Sequence, residues 1–202
     1  TTDNDLATAL QASSATLRAF SQLQYTTPSI QQAQQAVLNT PGNHTEWLTH
    51  KILALHQQNQ PIADLLAQLS QNQTAEGGFG DEPGYHSTPL DTAWAVLAHA
   101  LTAQPRTDSL ARAIGYLINQ QQADGSWRSV YTSAWVMQAI WHTRQAYQLA
   151  SVLDKAEHFL LAQRGADFLW QESFISALAI IALAPATADP TQLAPSVAAL
   201  KS

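Results

Sequence analysis

Apolar residues recur three or four positions apart along most of the chain, which is the spacing of helices that bury one face. No stretch alternates apolar and polar residues for long, and β-branched residues do not cluster between turn signals. The pattern therefore predicts an all-α protein. A first stripe of this kind is made by Leu6, Leu10, Leu17, Phe20 and Leu23.

Turn signals divide the other helical stretches into pairs. After the first stripe, a helix is predicted over residues 30–38, and a Thr-Pro-Gly-Asn turn follows at 40–43. Helical spacing resumes over 47–55 until a Gln-rich, proline-containing run interrupts it. The chain is thus predicted to run as helix–turn–helix units, with a degenerate hairpin over residues 1–60.

Three later segments share one order of features: a helix that ends in Gln-rich sequence, a turn, an aromatic residue and a second, apolar helix. The three repeats span approximately 62–104, 110–146 and 153–184. Their second helices align without gaps when Thr92 is paired with Thr132 and Ile175. Helix pairs of this length cannot bury their apolar faces alone and must stack side by side. We therefore predict a single domain over residues 1–202, an α/α toroid or open α/α barrel of about ten helices.

The turn of the second repeat suits a connection between two helices. Gly125 can take a positive φ after a helix, and Asp124 can cap the turn. Trp127 can cover the start of the next helix, and Gln121 can bond to exposed backbone groups. With the helix before it, this stretch reads RAIGYLINQQQADGSW over residues 112–127.

This stretch resembles the QW motif of squalene-hopene cyclases, which has a basic residue, a small residue, an aromatic-Leu pair, Gln and Gly-x-Trp. The third repeat has Arg164 where Gln is expected, and the first keeps Gln71 and Gly77-x-Phe79. The resemblance covers residues 62–183. It implies the α/α toroid of squalene-hopene cyclases and protein prenyltransferase β subunits, in an open or partial form.

The segment EGGFGDEPGYHSTPLDTAW, residues 76–94, resembles the catalytic segments of both enzyme groups without their decisive residues. Prenyltransferase β subunits carry an Asp and, two residues on, a Cys that bind zinc; Asp91 matches, but Ala93 replaces the Cys. Class II terpene cyclases carry Asp-x-Asp-Asp-Thr-Ala, and here Leu90 replaces the middle Asp that donates the proton. Asp91 is then interpreted as a helix N-terminal residue whose carboxylate accepts backbone N–H groups, ahead of a catalytic role. No catalytic residue is assigned.

The same segment holds the candidate ligand-binding residues. The loop from Gly77 to Pro89 is longer than the corresponding turns, and long loops on one face of a repeat protein are often functional. A solvated loop remains the alternative for these polar residues, and inter-helix core remains the alternative for Trp94, Trp135 and Trp141. The candidates are Asp81, Glu82, Tyr85, His86, Asp91 and Trp94.

Composition excludes several classes of partner and site. The 202 residues carry a formal net charge of −6 and no basic run, so nucleic acid is an unexpected partner. There is no cysteine, and His44, His50 and His56 are not spaced as helical metal ligands, so no metal site or cofactor is assigned. No apolar run reaches the length of a transmembrane helix. The low charge and the opening without Met suggest a piece of a larger bacterial protein that is exported to the periplasm or the extracellular space.

Two functions fit these observations. The preferred one is a non-catalytic domain that binds a protein, a carbohydrate or a lipid-like ligand within a larger exported protein, since the turns are intact and the acid and zinc residues are missing. The alternative is an enzyme that uses the loop over residues 81–91. It would be a divergent terpene cyclase, a prenyltransferase-like enzyme or another α/α-toroid enzyme such as a polysaccharide lyase.

Overall fold

The computed structural model describes Ala12, Ser13, Leu17 and residues 28–102 and 107–201. The stripe predicted as the first helix therefore lies largely outside the described residues. Within them the fold is all-α, with ten α-helices and no strand, as the repeats predicted. The helices are α1 (Pro28–Asn39), α2 (Thr45–His56), α3 (Ala63–Ser70), α4 (Pro89–Leu101), α5 (Asp108–Gln120), α6 (Val130–Trp141), α7 (Arg144–Tyr147), α8 (Ala150–Ala162), α9 (Ser173–Leu183) and α10 (Ala194–Leu200), the last preceded by a 3₁₀ helix (Pro190–Leu193).

The helices form two layers. In the inner layer α4 packs between α2 and α6, and α6 packs between α4 and α9. In the outer layer α3 packs on α2, α5 on α4, α8 on α6 and α10 on α9. This alternation of inner and outer helices is the architecture of an α/α toroid.

Burial follows the layers. The inner helix α4 is buried continuously from Thr92 to His99, whereas the outer helix α8 buries only Leu153, Ala156 and Leu160. The second helix of each repeat is more buried than the first, as its apolar sequence predicts. The burial of α9 is less complete than that of α4, because Phe174 and Ile181 are about 60% exposed. Among the described elements, α9 has an inner-layer neighbour on one side only.

Hydroxyl caps begin several of these helices. Thr88 Oγ1 accepts the Asp91 amide at the start of α4, and Pro89 follows the cap at the first helical position. Ser129 caps α6 in the same way through the Thr132 amide. No helix in the described ranges combines the length and the apolar character needed to cross a bilayer, in agreement with the sequence prediction.

Candidate ligand-binding face

The turns that join the outer helices to the next inner helices share one backbone geometry. In the second repeat the Gln122 amide donates to Ser126 O at 2.8 Å. The matching bonds are Thr74 to Gly78 at 2.9 Å and Gly165 to Leu169 at 2.8 Å. In each turn the residue just before the bonded carbonyl has positive φ: Gly77, Gly125 and Phe168. Three turns of different sequence therefore make the same bend.

Each turn ends in a fully buried aromatic residue. The indole N–H of Trp127 donates to Leu117 O at 2.8 Å, and that of Trp170 donates to Leu160 O at 2.6 Å, so each ring is anchored to the outer helix before it. The prediction that Trp127 is structural is confirmed, because its side chain has no exposed area.

The amides of the turn aromatics identify equivalent positions in the inner helices. Those of Phe79, Trp127 and Trp170 each donate at 2.8 Å to a hydroxyl, on Thr92, Ser133 and Ser176 respectively. The pairing of Thr92 with Thr132 and Ile175 was therefore wrong by one residue. The gapless sequence alignment paired Thr92 with Thr132 because both are threonines. The hydrogen bonds instead make Thr92 equivalent to Ser133 and Ser176, whose side chains point at their turns in the same way.

Polar side chains of the turns bond to the next outer helix. Gln121 Nε2 donates to Gly125 O and to Val152 O at 3.1 and 2.9 Å. Gln73 Nε2 donates in the same way to Gly77 O and Ser109 O at 2.9 and 2.8 Å. The assignment of Gln71 to this role was wrong, because the bonded Gln lies four residues before the glycine in both turns.

The third turn achieves the same link with arginine. Arg164 Nη1 donates to Gln192 O at 2.8 Å, in the 3₁₀ helix that follows.

Glycines allow the next outer helix to approach closely in the other two turns: a Cβ at Gly125 would lie 2.3 Å from Lys155 O, and one at Gly77 would lie 2.9 Å from Arg112 O. Sequence reasoning missed that these turns join successive repeats, although Arg112 and Lys155 occupy equivalent motif positions.

The candidate loop is tied to the start of α2. The Thr45 amide donates to Asp81 O at 2.7 Å, and Thr45 Oγ1 donates to Gly80 O at 2.6 Å. The buried amide of Asn72 adds bonds to Thr45 Oγ1 and Asp81 O. The loop is therefore held in place by Thr45 of the preceding hairpin and by Asn72 of its own repeat.

The structure separates the candidate loop residues into two groups. His44 Nδ1 lies 2.9 Å from Asp81 Oδ2, and its Nε2 lies 3.6 Å from Glu82 Oε1. The candidate His86 lies instead with the exposed Tyr85 at a depression lined by residues 71–76 and 84–87. No sequence signal links His44 to a loop that lies so far along the chain.

Asp91 is not the helix cap that the sequence suggested, since the Thr88 hydroxyl accepts the backbone amide of Asp91 at the start of α4. The Asp91 carboxylate instead accepts the Thr88 hydroxyl at 2.6 Å. Burial raises the pKa of Asp91, the nearby charges of Asp81 and Glu46 raise it further, and the Thr88 bond and His44 oppose the rise. The preceding Leu90 is partly buried against the core.

An aromatic row crosses three inner helices near Asp91. His50, Trp94 and Trp135 are each the sixth residue of their helix. The ring centroids of His50 and Trp94 lie 5.0 Å apart, and those of Trp94 and Trp135 lie 3.9 Å apart. Trp141 does not join them and stacks instead on the Arg144 guanidinium at 3.7 Å.

The row lies on the side of the inner layer that is turned away from the outer helices. Thr92 and Ser133 point at the turns, and a residue two positions later projects about 200° away from them around the helix. One helical turn earlier on this side are Glu46, Leu90 and Tyr131. We call these six positions the inner face: Glu46, His50, Leu90, Trp94, Tyr131 and Trp135.

Polar atoms in the inner face lack partners. Trp94 is 2% exposed and its indole N–H makes no hydrogen bond, and both ring nitrogens of the buried His50 are likewise unbonded. Glu46 Oε1 lies 3.5 Å from His50 Nε2. Among the residues that the structure describes, no three His, Asp or Glu side chains converge as metal ligands do.

Comparisons with known proteins agree with this architecture. The family model of the squalene-hopene cyclase C-terminal domain matches residues 42–150, more than half of the chain. A drimenyl diphosphate synthase of Streptomyces showdoensis is 40% identical over 65 residues, which are 32% of this chain and 12% of that enzyme. One of Streptantibioticus cattleyicolor is 41% identical over 61 residues, 30% of this chain and 11% of that enzyme. The chain matches only a small part of either relative, but the family model covers most of the described repeats. It therefore belongs to the family of squalene-hopene cyclase C-terminal domains.

Proposed function

We propose that this terpene-cyclase-like domain binds an uncharged terpenoid or prenyl hydrocarbon on its inner face without protonating it. The observation that carries the proposal is the row of tilted rings in contact that His50, Trp94 and Trp135 form at one repeated helix position. Trp135 is the partly exposed ring of this row and rests on the buried Trp94, so the row offers an apolar, electron-rich ring to a hydrocarbon. The family to which the chain belongs supports a ligand of this kind.

The charges around the inner face favour an uncharged ligand over a diphosphate. The groups whose charges act on Asp91 are Asp81, Glu46 and His44, and none of them is Lys or Arg. Glu46 and Asp91 also stand in the first turns of α2 and α4, where they offset the positive ends of these helices. A diphosphate would therefore meet carboxylates, whereas an apolar chain would meet rings.

The non-catalytic part of the proposal rests on Leu90 and Asp91. Leu90 occupies the place of the proton donor in the cyclase motif and carries no acidic group. The neighbouring Asp91 carboxylate is bonded to the hydroxyl that caps its own helix. The motif residues that remain here thus have a structural explanation.

Titration with squalene in detergent micelles, followed by tryptophan fluorescence, tests binding. We expect the native protein to bind and Trp135→Ala to weaken the affinity at least about tenfold, because Trp135 is the more exposed ring of the row. Trp141→Ala is the matched control, since Trp141 stacks on Arg144 away from the row, and its affinity should be unchanged. Absence of binding, or equal affinity in all three proteins, would refute the proposal.

Catalysis is the second candidate, and the carboxyl of Asp91 is the observation that favours it. A carboxyl with a raised pKa beside aromatic rings has the character of a proton donor in a cyclase. Family membership favours cyclisation over polysaccharide cleavage as the enzymatic alternative. Incubation with squalene and with linear prenyl diphosphates, followed by product analysis, distinguishes the candidates. A cyclised product that disappears in Asp91→Asn would establish catalysis and overturn the non-catalytic proposal.

The setting of the domain is part of the proposal. We place it in a larger bacterial protein that is exported to the periplasm or beyond the cell. Fractionation of cells that express the full-length protein, with detection by an antibody against this domain, tests the location. Recovery in the cytoplasm would contradict it.

A further inference from the structure

The long loop and the first turn enclose a polar depression that is separate from the inner face. It has a volume of about 390 Å³ and is lined by residues 71–76 and 84–87. Pockets that hold small ligands occupy about 300–1,000 Å³, so this depression suits a ligand at the small end of that range. We propose that it is a binding site for an uncharged saccharide, with Tyr85 as the stacking platform.

The side chain of Tyr85 has the exposure that such a platform needs. It is 60% exposed, although aromatic rings are normally buried. Its ring lies outside the hydrophobic core, whereas the buried Phe79 anchors the loop to that core. An exposed ring at the edge of a polar depression can stack on the apolar C–H face of a sugar ring while neighbouring groups bond to its hydroxyls.

The rim of the depression carries the groups that bond to hydroxyls. The Ser87 hydroxyl donates to Glu76 Oε2 at 3.2 Å and lies 3.0 Å from Thr74 Oγ1, so these three side chains form a connected edge. Gln71, Asn72, Gln73 and His86 are the other polar residues of the lining. The carboxylate accepts hydrogen bonds, and the amide, imidazole and hydroxyl groups both accept and donate them, as a polyhydroxyl ligand requires.

The charge of the lining sets the class of saccharide. No Lys or Arg is among the lining residues, and Glu76 places a carboxylate there. Arg112 stands outside the lining, and its guanidinium donates to Gln73 Oε1 at 2.7 Å. A sulfated, phosphorylated or uronic-acid sugar would meet the carboxylate without a lining cation to balance its own charge. The ligand class is therefore a neutral saccharide.

The loop is preorganised for binding. The Thr88 amide donates to Phe79 O at 3.0 Å and closes the base of the loop, and the Tyr85 amide donates to Glu82 O at 3.1 Å within it. A Cβ at Gly80 would lie 2.6 Å from Tyr85 O, so glycine is required for the loop to fold back at this point. A loop held in this way loses little conformational entropy when it binds a ligand.

Calorimetric titration of the intact protein with cellohexaose, chitohexaose and maltohexaose tests the site. We expect at least one of these oligosaccharides to bind, Tyr85→Ala and Tyr85→Leu to weaken it at least about tenfold, and Tyr85→Phe to keep it because the ring face remains. His86→Ala should weaken it less. Phe168→Ala, which removes an exposed ring from the equivalent third turn, is the matched control and should bind as the native protein does.

Two results would overturn this inference. One is the absence of binding to all three oligosaccharides. The other is binding that is unchanged in both Tyr85→Ala and His86→Ala, which would place the saccharide elsewhere. Because Tyr85 lies outside the core, its variants should melt at the native temperature, so a loss of affinity reports the site and not the fold. Squalene binding should be unaffected, which separates this outcome from the fate of the inner-face proposal.

Discussion

The second and third turns have nearly the same hydrogen bonds and very different sequences. The second uses Gln121, Gly125 and Trp127, whereas the third uses Arg164, Phe168 and Trp170. In both, a side chain reaches the start of the next outer helix, a residue takes positive φ, and an indole bonds to the preceding outer helix. The comparison shows that the repeat preserves contacts and backbone path, and that only the aromatic anchor is kept as a residue type.

The difference between the turns lies in how closely the next helix approaches. At Gly125 the backbone of Lys155 leaves no space for a Cβ. At Phe168 the side chain is 44% exposed, so the third turn has room for a residue with a side chain at positive φ, where the second turn requires glycine. The second turn is therefore constrained by packing, and the third only by its own backbone conformation.

The largest effect is expected at the aromatic anchors. Trp127→Ala and Trp170→Ala should each lower the free energy of unfolding by about 3–5 kcal/mol, because each removes a fully buried ring and its hydrogen bond. Urea denaturation measures both. A cost below about 1 kcal/mol for Trp170→Ala alone would show that the third turn is not equivalent to the second.

Gly125→Ala should come next. Positive φ and the 2.3 Å approach of Lys155 O together should cost about 2–4 kcal/mol. Gly115→Ala is the matched control, since Gly115 lies inside α5 and a Cβ added there would have nothing within 4 Å, so it should stabilise by about 0.5–1 kcal/mol. If both substitutions change the melting temperature equally, the close approach of Lys155 O to Gly125 does not constrain the second turn.

The bridging side chains should contribute less. Gln73→Ala should cost about 1–3 kcal/mol because it leaves the carbonyls of Gly77 and Ser109 without this donor. Gln71→Ala should stay within about 0.5 kcal/mol of the native protein, since Gln71 is exposed at the end of α3. If urea denaturation shows a larger loss of unfolding free energy for Gln71→Ala than for Gln73→Ala, Gln71 is the bridging residue.

The smallest effect is expected at Phe168. Phe168→Gly should stabilise the protein by about 0.5–1 kcal/mol, because glycine adopts the φ of +66° without steric penalty. Phe168→Ala keeps the unfavourable φ and loses the ring, so it should not stabilise. Calorimetric melting temperatures decide the order, and a lower melting temperature for the glycine variant would mean that the ring contributes more than its backbone conformation costs.

Much of the fold could be predicted because helix periodicity and turn residues are local. The repeats, the burial of α4 and α6 and the structural role of Trp127 all follow from patterns among neighbouring residues. The identification of the turns as QW motifs stays a prediction. The candidate site was harder to predict. The sequence could identify Trp94 as a candidate, but its ring partners His50 and Trp135 come from other repeats.

His44 and His50 show why sequence reasoning missed part of the site. Their spacing did not match helical metal ligands, so no role followed from it. In the fold His44 lies beside Asp81 and Glu82, and His50 lies beside Trp94. Neither contact has a local pattern, because each joins two different repeats.

By itself the sequence determined the all-α class of the protein and its helical repeats, because periodicity and turn chemistry act within one repeat. Only the tertiary structure decided which residues meet between repeats. It put Gln73 in the bridging role, separated His86 from Asp81, and aligned His50, Trp94 and Trp135 into one row. The physical reason is that the rotation and close packing of one repeat on the next determine these contacts, and a single residue of register changes which side chains face each other.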